Sequence, residues 1–163
     1  MERLYAPWRG NYIKNGNNKE CVFCCCAKST HDEENFILKR YPTGMVMLNL
    51  YPYNAGHILI VPFTHTVHIT SLTPQERFEM IEMANASSYV LEHTLSCEGI
   101  NIGINIAKPS GGSIPEHVHM HIVPRWTGDT NFLVTTANIK VVPFDLCEVY
   151  KKLKKAFLTS KDS

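Results

Sequence analysis

The chain has 163 residues, 44% of them hydrophobic and 19% charged, which is enough for one packed core and too apolar for global disorder. Sixteen lysines and arginines against fifteen acids leave a net charge of +1, which excludes a broad basic footprint for nucleic acid, so any nucleotide would be bound locally. No apolar run approaches the roughly 18 residues of a membrane span, and MERLYAPWRGNYIKNGNN lacks the apolar core of a secretory signal. A cytoplasmic protein with no membrane association is the expectation, and the six cysteines, four of them at 21, 24, 25 and 26, read as reduced thiols rather than a disulfide framework.

In chain order, residues 1–35 read as loop and short turns carrying the cysteine cluster. Two β-like runs follow, Phe36–Arg40 and Gly44–Asn49, joined by the turn signal Pro42-Thr43-Gly44. A third, Gly56–Pro62, is continuously apolar and β-branched through HILIV, as a central strand tends to be. Thr73, Pro74 and Glu76 provide an N-cap, a preset φ and a capping-box acid for a helix running to Thr94 or Leu95. Its Phe78, Ile81, Ala84, Ser88, Leu91 and Leu95 recur at helical spacing and are expected to face a sheet. Two further strands, Ile100–Ile106 and His117–Arg125, flank the loop AKPSGGSIPE. Leu146, Val149, Tyr150, Leu153 and Phe157 mark a C-terminal amphipathic helix within the extension 137–163, and solvation accounts for Lys151, Lys152, Lys154 and Lys155 on its other side. The β-β-β-α-β-β order predicts a single α+β domain over residues 1–163.

The informative segment is HVHMHIV, in which His117, His119 and His121 alternate with Val118, Met120 and Ile122. Alternate residues of a strand share a face, so three imidazoles are presented in a row while aliphatic groups enter the core. Imidazoles serve either as neutral metal ligands or as nucleophiles and proton carriers. Upstream, Gly111-Gly112-Ser113 permits close backbone approach and offers donors to phosphoryl oxygens. No Walker lysine or GxGxxG accompanies it, and the combination favours phosphate chemistry by covalent histidine catalysis.

HVHMHIV resembles the His-φ-His-φ-His-φ-φ signature of the histidine-triad (HIT) nucleotide hydrolases and transferases, φ being hydrophobic. LNLYPYNAGHILIVPFTH is similar to the family's nucleotide-side hairpin, and MERLYAPWRGNYI with PRWTGDTNF resembles the diadenosine tetraphosphate phosphorylase-like branch. The resemblance implies an antiparallel sheet of about five strands crossed by the long helix. It also implies a homodimer formed through Ile100–Ile106 and the helix Thr73–Leu95. His119 would attack the α-phosphorus and carry a nucleotidyl group. His121 would contact phosphate and help protonate the leaving group, with His57 as an additional active-site histidine. Asn49 falls where an Asn or Asp meets the ribose, and Asn105, Gly112 and Ser113 fall near the α-phosphate, Ser113 where many members carry Gln.

Cys21 and Cys24 have the CxxC spacing of two thiolate ligands. By the same resemblance, His65 and His117 would complete a structural zinc site, with His31 or His68 as substitutes for His65. Cys97 and Cys147 read as unpaired thiols. The implied substrate is a dinucleoside polyphosphate or related adenosine nucleotide, with phosphate or water resolving the adduct. Two alternatives stand beside it. One is a non-catalytic nucleotide-binding module, and the other is a metalloenzyme using the three triad histidines as ligands.

Overall fold

The computed structural model describes residues 20–130, residue 136 and residues 144–159. The N-terminal motif MERLYAPWRGNYI, the end of PRWTGDTNF, and residues 137–143 and 160–163 of the C-terminal extension lie outside the described residues. The elements are α1 (Val22–Lys28), β1 (Ile37–Arg40), β2 (Gly44–Leu48), β3 (Ile58–Pro62), α2 (Pro74–Leu95), β4 (Gly99–Ile104), β5 (Met120–Arg125) and α3 (Leu146–Thr159). The five strands form one antiparallel sheet in the order β1-β2-β3-β5-β4, confirming the α+β expectation.

Pro42-Thr43-Gly44 closes the β1–β2 hairpin, where the Tyr41 amide donates to the Gly44 carbonyl at 2.8 Å. β2 and β3 are buried along their whole length, as continuous apolar runs require when both sheet faces are covered. On one face Leu38, Val46, Leu48, Ile58, Ile60, Met120 and Ile122 pack with residues of α2 and α3. On the other, Ile37, Met45, Met47, Leu59 and Val61 pack with Phe23 and Cys26 of α1. Both cores follow from the alternation of side chains along each strand.

α2 begins as its sequence dictates. Thr73 Oγ1 accepts from the Glu76 amide, the Glu76 carboxylate accepts from the Thr73 amide, and Pro74 stands in the first turn. The face it buries differs from the predicted stripe. Met80, Met83, Ala84, Ser87, Val90 and Leu91 are buried, whereas Phe78 and Ile81 are 60% and 56% exposed. Apolar residues occur on two sides of this helix, so spacing alone selected a mixed row.

Element boundaries also change: β1 begins at Ile37, β2 ends at Leu48 and β3 begins at Ile58, each inside its predicted run. The segment predicted as loop up to residue 35 contains α1, seven residues long and without a side-chain cap, and therefore without a sequence signature. β4 ends at Ile104 rather than Ile106. β5 begins at Met120, so His117 and His119 are in the approach to the strand, where the Val118 amide donates to the Thr66 carbonyl at 2.6 Å.

α3 buries Val149, Tyr150, Leu153 and Phe157 as predicted. Lys154 does more than remain solvated: its Nζ donates to the Ile37 carbonyl at 3.0 Å and lies 3.7 Å from Asp32. Tyr150 Oη donates to the same carbonyl at 3.2 Å. The C-terminal helix is thereby fastened to edge strand β1, while β4 forms the opposite edge of the sheet. Among the described residues, no helix is long and apolar enough to cross a membrane.

Candidate functional site

His57, His119 and His121 come together where β3 runs beside β5. Leu59 pairs with His121 across these strands, and the turn preceding β3 delivers His57. That turn requires Gly56, whose φ is +78° and whose missing Cβ would stand 2.5 Å from Leu95 Cδ1. It is tied to the far end of β5 by Asn54, whose Nδ2 donates to the Pro124 carbonyl at 2.9 Å and to Asp129 at 2.7 Å. Arg125 holds Asp129 from the other side at 2.6 Å and 2.8 Å. These hydrogen bonds keep the Asp129 carboxyl well below the usual carboxylate range, the Arg125 contact being the largest cause.

His119 is 3% exposed, and its Nδ1–H donates to the His117 carbonyl at 2.8 Å. That bond leaves the lone pair on Nε2, which is the atom available for attack. His121 lies beside it with ring centroids 4.8 Å apart, and His57 Nε2 is 2.9 Å from His121 Nδ1. Burial is the main cause that pushes the imidazoles down, His57 to about 3 and His121 to about 4, and it lowers His119 and His117 as well. The four rings are accordingly neutral near pH 7, the state a nucleophilic imidazole needs. Among the described residues, His121 Nε2 is buried without a hydrogen-bond partner.

The remaining residues expected from sequence at the nucleotide fall into two groups. Asn49 meets His57, with its Nδ2 3.2 Å from His57 Nδ1, and its Oδ1 accepts from the Tyr51 amide at 2.9 Å. Asn105 and Gly112 are neighbours, since a Cβ on Gly112 would stand 3.5 Å from that of Asn105, and Ser113 follows, exposed to solvent. The intervening loop takes positive φ at Ala107 and Gly111 (+61° and +88°), Gly111 in the left-handed region, and is closed by Ser110 Oγ donating to the Ala107 carbonyl at 2.7 Å. Two contributors were not singled out from sequence. Tyr53 lies against both His57 and His121, and Phe23 meets His117 and His119 edge-on at 5.5 Å and 5.0 Å. The aromatic character of YPY and CVFC was visible, but only the fold shows which rings they meet.

Cys21, Cys24, His65 and His117 form a second cluster, with one donor atom from each lying within 4.8 Å of the others. His117 Nδ1 is 3.4 Å from Cys21 Sγ, 3.7 Å from Cys24 Sγ and 3.2 Å from His65 Nδ1, and Cys24 Sγ is 3.3 Å from His65 Nδ1. Metal–sulfur and metal–nitrogen bonds of about 2.3 Å and 2.0–2.1 Å imply tetrahedral edges of roughly 3.3–3.8 Å, so the donor set fits a tetrahedral ion such as zinc. His117 Nε2–H donates to the Pro62 carbonyl at 2.9 Å, which turns the unprotonated Nδ1 toward the two thiols. His31 instead pairs with Glu34 at 3.9 Å on the surface, and neither it nor His68 belongs to the cluster. With His117 drawn to the cysteines, His119 to a backbone carbonyl and His121 to His57, the triad rings are engaged with three different partners. Cys97 is buried and Cys147 exposed, both as free thiols.

The HIT domain family model matches residues 31–128. The chain is 32% identical over 151 residues to the AP-4-A phosphorylase of Mycobacterium tuberculosis, covering 88% of this chain and 77% of that protein. It is 31% identical over 93 residues to the asymmetrical bis(5'-nucleosyl)-tetraphosphatase of Schizosaccharomyces pombe, covering 57% and 50% of the two chains. A zinc-bound histidine triad family protein from Mycobacterium smegmatis superimposes with a TM-score of 0.70 at 28% identity, covering 85% of this chain and 94% of that one. With the triad, the fold and these matches in agreement, the chain belongs to the HIT domain family.

Proposed function

We propose that this protein cleaves a phosphoanhydride of a dinucleoside polyphosphate, of the diadenosine tetraphosphate kind, through a nucleotidyl adduct on His119. The observation that carries this reading is the His119 Nδ1–H bond to the His117 carbonyl, which leaves a neutral Nε2 lone pair on the ring beside His121, whose own Nε2 has no partner among the described residues. In the first step His119 Nε2 bonds to the α-phosphorus and the bridging P–O bond breaks. His121 Nε2–H donates a hydrogen bond to the departing oxygen, and the released nucleotide's terminal phosphate carries the charge. In the second step an oxygen of phosphate, or of water, attacks the same phosphorus, breaks the N–P bond and releases His119. Dividing the displacement in this way replaces one hard step with two easier ones.

Asn49 is assigned to the ribose, and the Asn105, Gly112 and Ser113 loop to the α-phosphate oxygens, whose developing charge its donors stabilise. Phosphate is the favoured acceptor because the M. tuberculosis relative, similar over most of both chains, is a phosphorylase. Zinc, present in the M. smegmatis neighbour, is assigned to Cys21, Cys24, His65 and His117. Four protein donors leave no open position, so its contribution is structural, tying α1 to the triad. A homodimer through the β4 edge and the α2 face bearing Phe78, Ile81 and Tyr89 accounts for their exposure beside the half-exposed Ile102. Six free cysteines suit a reducing cytoplasm.

Product analysis of diadenosine tetraphosphate incubated with the protein, with and without inorganic phosphate, tests the reading. ADP plus ATP formed only with phosphate is the expected result. AMP plus ATP without phosphate would make water the acceptor, and cleavage of neither kind would refute the reading.

A further inference from the structure

The hydrogen bonds around His57 determine more than its position. The Tyr53 amide, a fixed donor, reaches His57 Nδ1 at 3.1 Å, and Asn49 Nδ2 approaches the same nitrogen at 3.2 Å. Asn49 cannot reverse its amide at no cost, because its Oδ1 already accepts from the Tyr51 amide at 2.9 Å. His57 Nδ1 is therefore an acceptor, and the ring proton of neutral His57 is on Nε2. That Nε2 is 2.9 Å from His121 Nδ1, so His121 accepts there and carries its own proton on Nε2, the buried atom that has no partner among the described residues.

The Tyr53 ring closes the arrangement from outside. It lies nearly parallel to His121, at 16° with centroids 5.8 Å apart, and tilts over His57 at 4.7 Å. Tyr53 is itself 55% exposed, whereas His57 is fully buried. The phenol thus covers the histidine pair on the solvent side.

We propose that Asn49, Tyr53 and His57 form a positioning unit that fixes His121 in its Nε2–H tautomer, so that a desolvated N–H donor faces the leaving-group oxygen. The identity of that oxygen rests on the functional reading above; the tautomer does not. In this arrangement His57 touches no reacting atom and acts through His121. Asn49 acquires a second task beside the ribose, as one of two donors that share the His57 Nδ1 lone pair.

Nitrogen-15 NMR of the histidine side chains near pH 7 reads the tautomer directly and needs no turnover. Wild type is expected to show the His121 proton on Nε2 and the His57 proton on Nε2. His57→Gln, whose amide can still donate to His121 Nδ1, is expected to keep the His121 tautomer, and His57→Leu to give a mixture. The kinetic counterpart compares a dinucleoside polyphosphate with a nucleoside 5'-(2,4-dinitrophenyl phosphate), whose far less basic leaving group draws less on a hydrogen-bond donor. His57→Leu should lose about 10²- to 10³-fold on the former, as removal of a preorganised donor to developing charge does. Its loss on the aryl ester should be less than about tenfold, and His57→Gln should recover most of the difference.

A His121 proton found on Nδ1 in wild type would overturn the proposal. So would equal losses of His57→Leu on the two substrates, or an unchanged His121 tautomer in that variant. If wild type cleaved neither substrate, the functional reading would fall while the NMR result still decided the tautomer. If His57→Leu did not fold, the wild-type spectrum would decide alone.

Discussion

Gly56→Ala tests whether the turn that carries His57 is limited by backbone conformation, by space or by both. With φ at +78°, a Cβ at this position costs about 1–2 kcal/mol from left-handed backbone alone. The same Cβ would approach Leu95 Cδ1 to 2.5 Å, Leu91 Cδ2 to 3.3 Å and Pro124 Cγ to 3.5 Å. The severe contact is with the tip of a half-buried side chain, which can move only by repacking the end of α2, an overpacking cost of about 1–3 kcal/mol. The substitution should therefore destabilise the protein by about 2–5 kcal/mol. Leu95→Ala removes the clashing atom, so in that background the cost of Gly56→Ala should fall to about 1–2 kcal/mol. Guanidinium unfolding of the four proteins, with metal content held constant, gives the coupling energy. Equal costs in the two backgrounds would refute the steric part of the reasoning, and a fully stable Gly56→Ala protein would refute both parts.

Two further outcomes follow from the same structure. The metal cluster should bind one zinc per chain, a stoichiometry retained in His119→Ala and lost in Cys24→Ser. Zinc at a hundredfold over its Kd adds about 2.7 kcal/mol, or roughly 5–10 °C in Tm for a chain of this size. Zinc lost from His119→Ala but kept by Cys24→Ser, in metal analysis of the purified variants, would reassign the ligands. The buried histidines set the acid limit of stability. His57 and His121 titrate at about 3 and about 4 in the folded protein, against about 6.5 in an unfolded chain, so below pH 6.5 the unfolded state binds protons that the folded state refuses. This stabilisation is intact above about pH 6.5 and is lost as pH falls through that window, at up to about 1.4 kcal/mol per pH unit for each histidine. Urea unfolding between pH 7 and 4.5 should show the decline, with a shallower slope in His57→Leu; equal slopes in the two proteins would contradict it.

Much of this was legible in the sequence because the signals were local. The alternation in HVHMHIV placed three imidazoles in one row, Thr73-Pro74-Glu76 opened α2 at the predicted residue, and Pro42-Thr43-Gly44 closed the first hairpin. The α3 face was readable because only one side of that helix is apolar. α2 was not, because Phe78, Ile81 and Tyr89 form an apolar row of their own beside the buried one, and spacing does not rank one row above another. α1 escaped because seven residues opening on an uncapped Cys21 owe their helicity to burial of Phe23 and Cys26 against β1, β2 and β3. For the site, CxxC marked two members of the Cys/His cluster and the family resemblance named His65 ahead of His31 and His68, while the approach of Cys24 to His65, 41 positions apart, to 3.3 Å is a product of the tertiary fold. The tautomer proposed for His57 rests on the Tyr53 amide, and that for His121 on His57 in turn, contacts beyond any pattern of residue types.

The central claim is that His119 carries the nucleotidyl group, and rapid-quench mass analysis during turnover of diadenosine tetraphosphate tests it most directly. Wild type quenched in alkali should show one nucleotidyl group on the peptide bearing His119, lost on acid treatment as a phosphoramidate is, and His119→Ala should show neither adduct nor turnover. An adduct on another residue, or turnover by His119→Ala above that of heat-inactivated protein, would contradict the account.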